Sequence, residues 1–357
     1  MSSSDTFDSI VRIQQREIGP GRPAFIIAEA GVNHNGDMDM ARALIDAAVA
    51  AGADAVKFQT FKSERLVSPI APKADYQLKT TDHEESQAEM IRRLELREEH
   101  HHLLMEYCAQ RGILFLSTPF DEESASMLAQ FGVAAFKTSS GDVNNVPFLE
   151  HLARLGLPVI FSTGMAYLTE VEEAMHAMAA AGGRAVVMLH CVTDYPTNPA
   201  DVNLRAMDTL AASFQVPIGF SDHTLGIHIP VAAVARGASC IEKHLTLDRT
   251  LTGPDHRASL EPAEFTQMIA AIRETEAALG DGVKQPRGGE IVNIPISRKS
   301  LHWRTAPEAG CAVSAADFIA LRPGSGVSPA RLRSLIGRRT AGPVTAGALV
   351  RDEDFAA

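Results

Sequence analysis

The stretch AFIIAEAGVNHNG at residues 24–36 decides between two folds for this 357-residue chain. It reads as an Ile-rich strand followed by a turn, and it opens a series of short β-branched runs that alternate with longer Ala- and Leu-rich amphipathic stretches. Such an alternation is typical of βαβ units and a parallel sheet. A doubly wound open sheet, the alternative, would place a GxGxxG turn after its first strand, and the turn here has a different sequence. The pattern therefore favours a TIM (β/α)8 barrel.

Eight strands are predicted in the first 280 residues, with helices between them such as those at 38–53, 97–112 and 169–183. Eight β/α units in about 250 residues is the usual size of a TIM barrel. The connection at 61–96 is long, polar and contains proline; because it follows a strand, we expect it to be an active-site lid, with a mobile insertion of no function as the alternative. The predicted strands are AFIIAE (24–29), AVKFQT (55–60), ILFLST (113–118), AAFKTS (134–139), PVIFST (158–163), AVVMLH (185–190), PIGFSD (217–222) and SCIEKH (239–244).

The composition changes after Gly280. We expect a barrel domain at 1–280, in which residues 1–23 form an N-terminal extension that caps the barrel. A Gly- and Pro-containing linker follows at 281–297. The last unit, 298–357, is small enough that its core must be thin, so we expect it to lean on another surface.

Composition and charge exclude several classes of partner. The formal net charge is −11, from 33 Lys and Arg against 44 Asp and Glu, which argues against a nucleic-acid or anionic membrane surface. The sequence contains no apolar run long enough for a membrane span, and the N-terminus does not resemble a signal peptide. We expect a cytoplasmic protein in which the four dispersed cysteines are buried free thiols: Cys108, Cys191, Cys240 and Cys311.

Polar residues occupy the ends of nearly every predicted strand, where a barrel builds its active site. Lys57 and Gln59 share one face of their strand, as do Glu242 and His244, because alternate residues of a strand point the same way. Burying unpaired charges costs several kcal/mol each (order of magnitude), so their joint occurrence predicts a functional site. Lys57 and Lys137 near Ser and Thr hydroxyls predict an anion pocket for phosphate, or for phosphate together with carboxylate.

Two histidines at the ends of adjacent strands, His223 and His244, can supply imidazoles to one divalent metal. The alternative is that one of them acts as a general acid or base. The run His100–His102 lies on a predicted helix, and we expect it to form a solvated face.

Nine motifs, in this order, resemble the sialic acid synthase family: IAEAGVNHNG, AVKFQTF, STPFD, FKTSSGD, STGM, LHCVTDYP, GFSDHTLGI, IEKHLTLD and GPDHRASL. The resemblance runs from about residue 10 to the end of the chain. The tail segments RKSL and LRPGSGV resemble the antifreeze-like (SAF, β-clip-like) domain of that family. The resemblance implies a transferase that joins phosphoenolpyruvate (PEP) to an N-acylated hexosamine, giving a nine-carbon ulosonic acid and phosphate.

The resemblance also implies roles for matched residues. His223 and His244 would bind a divalent metal, beside Gln59 and Glu242. The expected metal is Mn²⁺, with Mg²⁺ or Co²⁺ as alternatives. Glu29 would lie by the reacting aldehyde. It further implies a domain-swapped homodimer in which the tail domain reaches the partner's barrel. PEP would be held by Lys57, Thr118, Lys137, Ser140, Ser162 and Ser221, and the sugar by Tyr195, Asp255 and Arg322.

Two positions depart from relatives: Thr193 replaces an Asn seen in some of them, and Asp142 replaces a Glu. The GVNHNG opening and the segment KADYQ (73–77) resemble synthases for N-acetylneuraminate or legionaminate. We therefore expect an N-acetylneuraminate synthase that uses N-acetylmannosamine. The alternative is an N,N'-diacetyllegionaminate synthase that uses 2,4-diacetamido-2,4,6-trideoxymannose.

Two rival interpretations stay open at this point. A pyruvate-dependent aldolase would form a Schiff base on Lys57 or Lys137, although two lysines among hydroxyls suit a phosphate better than a single desolvated amine. A non-catalytic carbohydrate- or ice-binding protein is suggested by the tail, but a flat ice-binding face would be regular and Thr-rich, whereas this tail is basic and broken by Gly and Pro.

Overall fold

The computed structural model describes residues 7–78, 81–82 and 84–356. Residues 1–6 of the predicted N-terminal extension, residues 79, 80 and 83 of the connection at 61–96, and residue 357 of the tail lie outside the described residues. The chain divides into two units, residues 1–280 and 281–357.

The first unit is a closed barrel of eight parallel strands, preceded by a short antiparallel hairpin of β1 (Val11–Ile13) and β2 (Arg16–Ile18). Each barrel strand pairs with the next one in the chain, and the last pairs with the first. All eight predicted strands are present with ends that differ from the prediction by no more than two residues, which confirms the barrel. The barrel strands are β3 (Phe25–Gly31), β4 (Ala55–Thr60), β5 (Leu114–Pro119), β6 (Phe136–Thr138), β7 (Val159–Ser162), β8 (Val186–Cys191), β9 (Ile218–Asp222) and β10 (Cys240–His244).

Helices follow the strands and cover the outside of the barrel. The first of them shows how local sequence sets its limits: the Asp37 side chain accepts hydrogen bonds from two N–H groups of the first turn, and Gly52 ends the helix in the left-handed conformation. The helices are α1 (Met38–Ala51), α2 (Ser63–Leu66), α3 (Asp75–Leu78), α4 (Gln87–Arg93), α5 (Glu98–Arg111), α6 (Glu122–Phe131), α7 (Val146–Arg154), α8 (Leu168–Ala180), α9 (Ala206–Phe214), α10 (His228–Ala235) and α11 (Pro262–Leu279).

The barrel interior has an apolar layer below a polar layer. Near the N-terminal ends of the strands, the inward side chains pack in one buried cluster with residues of the hairpin, which thereby closes that end of the barrel. The next inward position on most strands, towards the C-terminal end, is polar. The apolar layer contains Val11, Ile13 and Ile18 of the hairpin and Phe25, Ile27, Ala55, Leu116, Ala135, Ile160, Val187, Leu189 and Cys240 of the barrel.

Gly219 is the inward residue of β9 within this layer. A Cβ atom there would overlap the backbone oxygen of Cys240 and a side-chain methyl of Leu189. The strand therefore needs glycine at this position so that its neighbours can pack across the barrel axis.

The connection at 61–96 folds over the C-terminal end of the barrel as three helices, α2 to α4. It is fixed by polar contacts: Glu95 accepts a hydrogen bond from the Ser63 N–H at 2.7 Å, and Ser86 and Glu89 form a capping box at the start of α4. Gly36 has a φ of +78°, and a Cβ atom on it would lie 2.8 Å from the backbone oxygen of Arg93, so the connection approaches the turn after β3 closely.

The second unit begins at residue 281 and so includes the whole predicted linker, which contains a helix, α12 (Gly289–Ser297). Two antiparallel strands follow, β11 (Ser300–Trp303) and β12 (Phe318–Leu321), and then the short helix α13 (Leu332–Leu335). The assignment of this unit to the SAF domain remains a prediction. Its small core consists of Leu301, Trp303, Val313, Phe318, Val327, Leu335, Val350 and Phe355.

Two expectations were wrong. His101 does not belong to a solvated face: its ring is buried, with Nε2 2.7 Å from the Thr60 hydroxyl and Nδ1 2.9 Å from the backbone oxygen of Arg97. Helical periodicity turns the middle residue of the triplet towards the barrel. Cys311 is exposed, because it lies in a surface turn of the second unit, whereas the other three cysteines are buried. Among the described residues, no helix combines the length and apolar character needed to cross a membrane.

Candidate active site

The C-terminal end of the barrel contains a cavity of about 290 Å³. Every site residue predicted in the first unit lines it, although those residues come from all eight strands and the loops after them. Arg322, the one predicted site residue of the second unit, is exposed there, and its role stays a prediction. The lining predicted residues are Glu29, Lys57, Gln59, Thr118, Lys137, Ser140, Ser162, Tyr195, Ser221, His223, Glu242, His244 and Asp255.

Glu242 lies between two buried lysines at the floor of the cavity. Its carboxylate oxygens are 3.9 Å from Lys57 Nζ and 3.5 Å from Lys137 Nζ, and it accepts a hydrogen bond from the Ser221 hydroxyl at 3.1 Å. Burial by itself would raise the pKa of Glu242, but Lys137 and Lys57 together hold it below its usual value. The floor therefore carries a permanent negative charge between two positive ones.

Each lysine is also oriented by a hydroxyl. Lys57 Nζ donates to Thr118 Oγ1 at 2.8 Å, and Lys137 Nζ donates to Ser162 Oγ at 2.6 Å. A second bond from Lys137 Nζ goes to the backbone oxygen of Thr138 at 2.9 Å. These contacts hold both ammonium groups in place before any ligand binds, and such preorganisation is what an anion site requires.

Glu29 is buried beside Lys57, with Oε2 2.6 Å from Nζ. Desolvation raises the pKa of Glu29 to about 7, with Lys57 opposing the rise and Glu242 adding to it. A carboxyl group with a pKa near neutrality can both accept and donate a proton at physiological pH. Its other oxygen is 3.4 Å from Gln59 Nε2, and Gly31 leaves room for both side chains, since a Cβ atom there would lie 3.1 Å from Glu29 Oε1.

His223 and His244 face each other, with ring centroids 5.3 Å apart. His223 Nδ1 lies 2.7 Å from the backbone oxygen of Val192, which leaves Nε2 as the free nitrogen if Nδ1 carries the hydrogen. His244 Nδ1 is buried and has no hydrogen-bond partner among the described residues. Burial and the nearby positive groups His223 and Lys57 lower the pKa of His244 well below its usual value, so its ring is neutral.

Although burial would lower the pKa of His223, the neighbouring Cys191 raises it above its usual value, so a metal would have to displace the second ring proton of this histidine. With that proton released, two imidazole nitrogens are suitable ligands for a divalent ion that fills its other positions with water and substrate oxygens. No group of three or more His, Cys, Asp or Glu residues suited to hold a metal is found within residues 7–78, 81–82 and 84–356. A closed four-ligand zinc site is therefore not formed by these residues, but the histidine pair, with an orphaned buried nitrogen, fits an open site.

The sugar-binding candidates lie around the histidines. The Tyr195 ring lies 4.0 Å from the ring of His223, centroid to centroid. Asp255 is buried, and desolvation raises its pKa to about 6 against the opposing influence of His223 and Lys57.

The Ser140 hydroxyl accepts a hydrogen bond from the Gly164 N–H at 3.0 Å, and the hydroxyl of Thr193, one of the departures from relatives, is buried nearby.

Some polar residues at the strand ends lie outside the cavity. Asp222 and Lys243 point away from the barrel axis, where they form a buried ion pair between strands and helices. His190 contacts the backbone oxygen of Val202 at 2.6 Å. These side chains satisfy each other or the backbone, so they stabilise the barrel instead of lining the site.

An apolar side of the cavity and one lining thiol were not predicted from the sequence. Cys191 lines the cavity with its Sγ 3.9 Å from His223 Nδ1, although it was predicted only as a buried thiol. The signal for the apolar side was the spacing of Met90, Ile91 and Leu94 in the predicted lid, which puts them on one face of a helix. We use the name apolar wall for the following residues that line this side of the cavity: Val32, Phe61, Leu66, Met90, Ile91, Leu94 and Phe120.

The geometry favours anion binding over imine formation. Although burial would lower the pKa of Lys57, the carboxylates of Glu242 and Glu29 raise it above its usual value. A Schiff-base lysine needs a lowered pKa to be a nucleophile at neutral pH. Lys57 is therefore better suited to hold a phosphate or carboxylate than to attack a ketone.

Comparison with known proteins identifies relatives over nearly the whole chain. Residues 44–284 match the model of the NeuB family. The N,N'-diacetyllegionaminic acid synthase of Legionella pneumophila is 46% identical over 92% of this chain and 94% of that protein. The human N-acetylneuraminate-9-phosphate synthase is 35% identical over 91% and 90%. A crystal structure of the N-acetylneuraminic acid synthetase of Leptospira borgpetersenii with citrate superimposes with a TM-score of 0.72, at 37% identity over 81% of this chain and 96% of that one.

Proposed function

This chain belongs to the NeuB family and is an enzyme of the sialic and nonulosonic acid synthase type, and we propose that it joins PEP to an N-acetylated hexosamine. The products are a nine-carbon ulosonic acid and phosphate. The observation that carries the proposal is the preorganised floor of the cavity, where Lys57 and Lys137 flank Glu242 and each is oriented by a hydroxyl. Such a floor matches a small ligand that carries both a phosphate and a carboxylate.

In the proposed reaction, carbon 3 of PEP forms a bond with the aldehyde carbon of the open-chain sugar, and the aldehyde oxygen takes up a proton to become a hydroxyl. Water then adds to carbon 2 of PEP and loses a proton. Phosphate departs with cleavage of the bond between carbon 2 and oxygen and takes up the proton of the remaining hydroxyl group, which leaves the ketone of the product. Lys57 and Lys137 stabilise the charge on the departing phosphate.

Glu29 is the proposed acceptor for the proton that the water loses. Its pKa of about 7 makes the carboxylate available at neutral pH, and its distance of 2.6 Å from Lys57 Nζ puts it beside the proposed phosphate site. Tyr195 and Asp255 are proposed to hold sugar hydroxyls at the histidine side of the cavity. Ser140 and Ser221 are proposed to hold PEP.

We propose that His223 and His244 bind a divalent metal, with Mn²⁺ as the first candidate and Mg²⁺ or Co²⁺ as alternatives. When bound, the ion would supply Lewis-acid polarisation of the sugar aldehyde. The neutral ring of His244 and the contact of His223 Nδ1 with Val192 support this role, because a ligating imidazole needs a free nitrogen and a partner that fixes its ring.

Two acceptors are candidates within this class: N-acetylmannosamine and 2,4-diacetamido-2,4,6-trideoxymannose. The relatives at 46% identity, from Legionella pneumophila and Campylobacter jejuni, are named for the product of the second. The Leptospira structure, at 37%, is named for the product of the first. On the family resemblance, we propose a homodimer in which Arg322, in a SAF-type second unit, contacts the sugar.

The test is release of phosphate from PEP by the metal-loaded protein with each acceptor. Release that requires one of these sugars supports the proposal. A folded, metal-loaded protein that releases no phosphate with either sugar contradicts it. Covalent trapping by borohydride with pyruvate would instead support the aldolase mechanism, which the raised pKa of Lys57 disfavours.

A further inference from the structure

The turn that follows the first barrel strand holds the loop that carries Asp255. We propose that Asn33 and Asn35 of this turn, together with Ser259, are positioning residues that set the affinity for the sugar acceptor by fixing Asp255. The inference rests on the proposed function, in which Asp255 holds a sugar hydroxyl, and it extends the sugar site to residues behind it. None of the three positioning side chains is among those that line the cavity.

The Asp255 side chain depends on its backbone for its direction. The residue is 7% exposed and its carboxyl group lines the cavity. Within residues 7–78, 81–82 and 84–356, no group forms a hydrogen bond with its carboxyl oxygens. Contacts that fix the loop at 249–259 therefore decide where this carboxyl group meets a ligand, and a small displacement of a positioned group is costly for a bound substrate.

Two buried side chains form a relay to the Asp255 backbone. The Ser259 hydroxyl donates to the backbone oxygen of Asp255 at 2.7 Å and accepts a hydrogen bond from Asn33 Nδ2 at 2.9 Å. Asn33 Nδ2 also donates to the backbone oxygen of Leu245, directly after β10, at 2.9 Å. Ser259 and Asn33 are each 1% exposed, so these bonds are shielded from competing water.

The Asn33 amide acts here as a donor. Its Oδ1 is buried and has no hydrogen-bond partner in the described part of the chain. A reversed amide would place this oxygen against the backbone oxygen of Leu245, so two acceptors would meet. An orphaned buried acceptor costs stability, and the two bonds from Nδ2 offset that cost. These bonds join the turn after β3, the end of β10 and the loop at 249–259.

The same turn holds the loop at two further places. Asn35 Nδ2 donates to the backbone oxygen of Thr252 at 3.0 Å, and Asn35 Oδ1 lies 3.3 Å from His256 Nε2. Asn35 has a φ of +51°, a conformation that Asn adopts more readily than most residues. The loop is therefore fixed on both sides of Asp255 by one turn.

Ser259→Ala removes the hydroxyl that fixes the Asp255 backbone. A hydrogen bond between neutral groups corresponds to about 2- to 12-fold in an equilibrium constant. We expect S259A to raise the KM for the sugar by that factor and to change the KM for PEP less than twofold. Ser239→Ala is the matched control, because the Ser239 hydroxyl is also buried and donates to a backbone oxygen, that of Ile218 at 2.9 Å, but lies before β10 at the opposite end of the barrel.

Two further variants test the route of the effect. Asn35→Gly removes both contacts of this side chain, while glycine adopts the same φ without strain, so we expect the sugar KM to rise as in S259A. Asp255→Ala completes a double-mutant cycle. If Ser259 acts through Asp255, adding S259A to D255A should change the sugar KM less than twofold.

The outcomes separate the inference from the proposed function. An unchanged sugar KM in S259A, equal changes in the sugar and PEP KM, or the same values in S259A and S239A overturn the inference, while phosphate release by the wild type still supports the synthase. A full further effect of S259A in D255A also overturns it. Absence of phosphate release by the wild type with every acceptor contradicts the proposed function itself. N35G against S239A decides if S259A fails to fold, and the single variants decide if D255A has no turnover.

Discussion

The hydroxyl of Thr118 offers the sharpest test of the proposed PEP site. Thr118→Val keeps the shape of the side chain but removes the oxygen that accepts a hydrogen bond from Lys57 Nζ at 2.8 Å. A hydrogen bond to a charged group contributes about 1.5–3 kcal/mol. If this bond orients Lys57 for the phosphate or carboxylate of PEP, kcat/KM for PEP should fall about 10- to 150-fold, since each 1.4 kcal/mol is a factor of ten.

Thr163→Val is the matched control. Thr163 is also buried at the end of a strand, and its hydroxyl donates to the backbone oxygen of Leu189 at 3.0 Å, but it does not line the cavity. Phosphate release would be measured with PEP varied at saturating sugar, then with sugar varied at saturating PEP, for both variants. We expect T118V to act on the PEP parameters and to change the sugar KM less than threefold. Equal losses in T118V and T163V would refute the reasoning, because the effect would then be one of stability.

The remaining predictions concern stability, metal binding and the second unit. Burial lowers the pKa of His101 to about 4. Below pH 6.5, therefore, the unfolded chain binds a proton at this residue that the folded chain does not bind. The free energy of unfolding should fall by about 2 kcal/mol between pH 7 and pH 5 because of this residue. Denaturant titrations of the wild type, His101→Gln and the exposed control His102→Gln measure this, and an unchanged pH dependence in H101Q contradicts it. Mn²⁺ added to chelator-treated protein should raise the midpoint of thermal unfolding, and His223→Ala should abolish that rise while the metal-free midpoint stays similar; a full rise in H223A would mean that the ion binds elsewhere. Arg322→Ala should increase the KM for the sugar much more than that for PEP, and equal changes in both would show that the contact is misassigned.

The sequence predicted the barrel because its signals are local. The strands are short apolar runs, and several helices have capping residues of their own, such as Asp37 and Gly52 of α1. Alternation along a strand also predicted which side chains point inward, as for Lys57 with Gln59 and Glu242 with His244. Since parallel strands present their carboxyl ends at the same side, all predicted site residues of the first unit could be expected in one cavity.

The family was recognisable because its motifs lie at strand ends, where chemistry restricts residue type more than packing does. Outcomes that depend on neighbours distant in sequence were not predictable. His101 was taken for a solvated residue, yet it is buried against Thr60 of a neighbouring strand. The linker prediction for 281–297 missed α12, since Pro295 and several glycines locally oppose a helix.

The order of charges in the cavity was decided only by the tertiary structure. The sequence shows two lysines and two glutamates. It does not show that Glu242 lies between Lys57 and Lys137, or that Glu29 pairs with Lys57. Burial raises the pKa of Glu29 to about 7 against the opposing influence of Lys57, whereas Lys137 and Lys57 together overcome burial and lower the pKa of Glu242, so two chemically identical side chains acquire different protonation states.

The apolar wall likewise exists only in three dimensions. Val32, Phe61 and Ile91 are ordinary apolar residues in the sequence, and nothing in their spacing says that they meet at a charged floor. The sequence by itself determined the fold, the family and the set of polar side chains, because periodicity and residue type are local properties. The tertiary structure decided which groups pair and which surface faces the substrate, because burial and Coulomb interactions depend on distances between segments far apart in the chain.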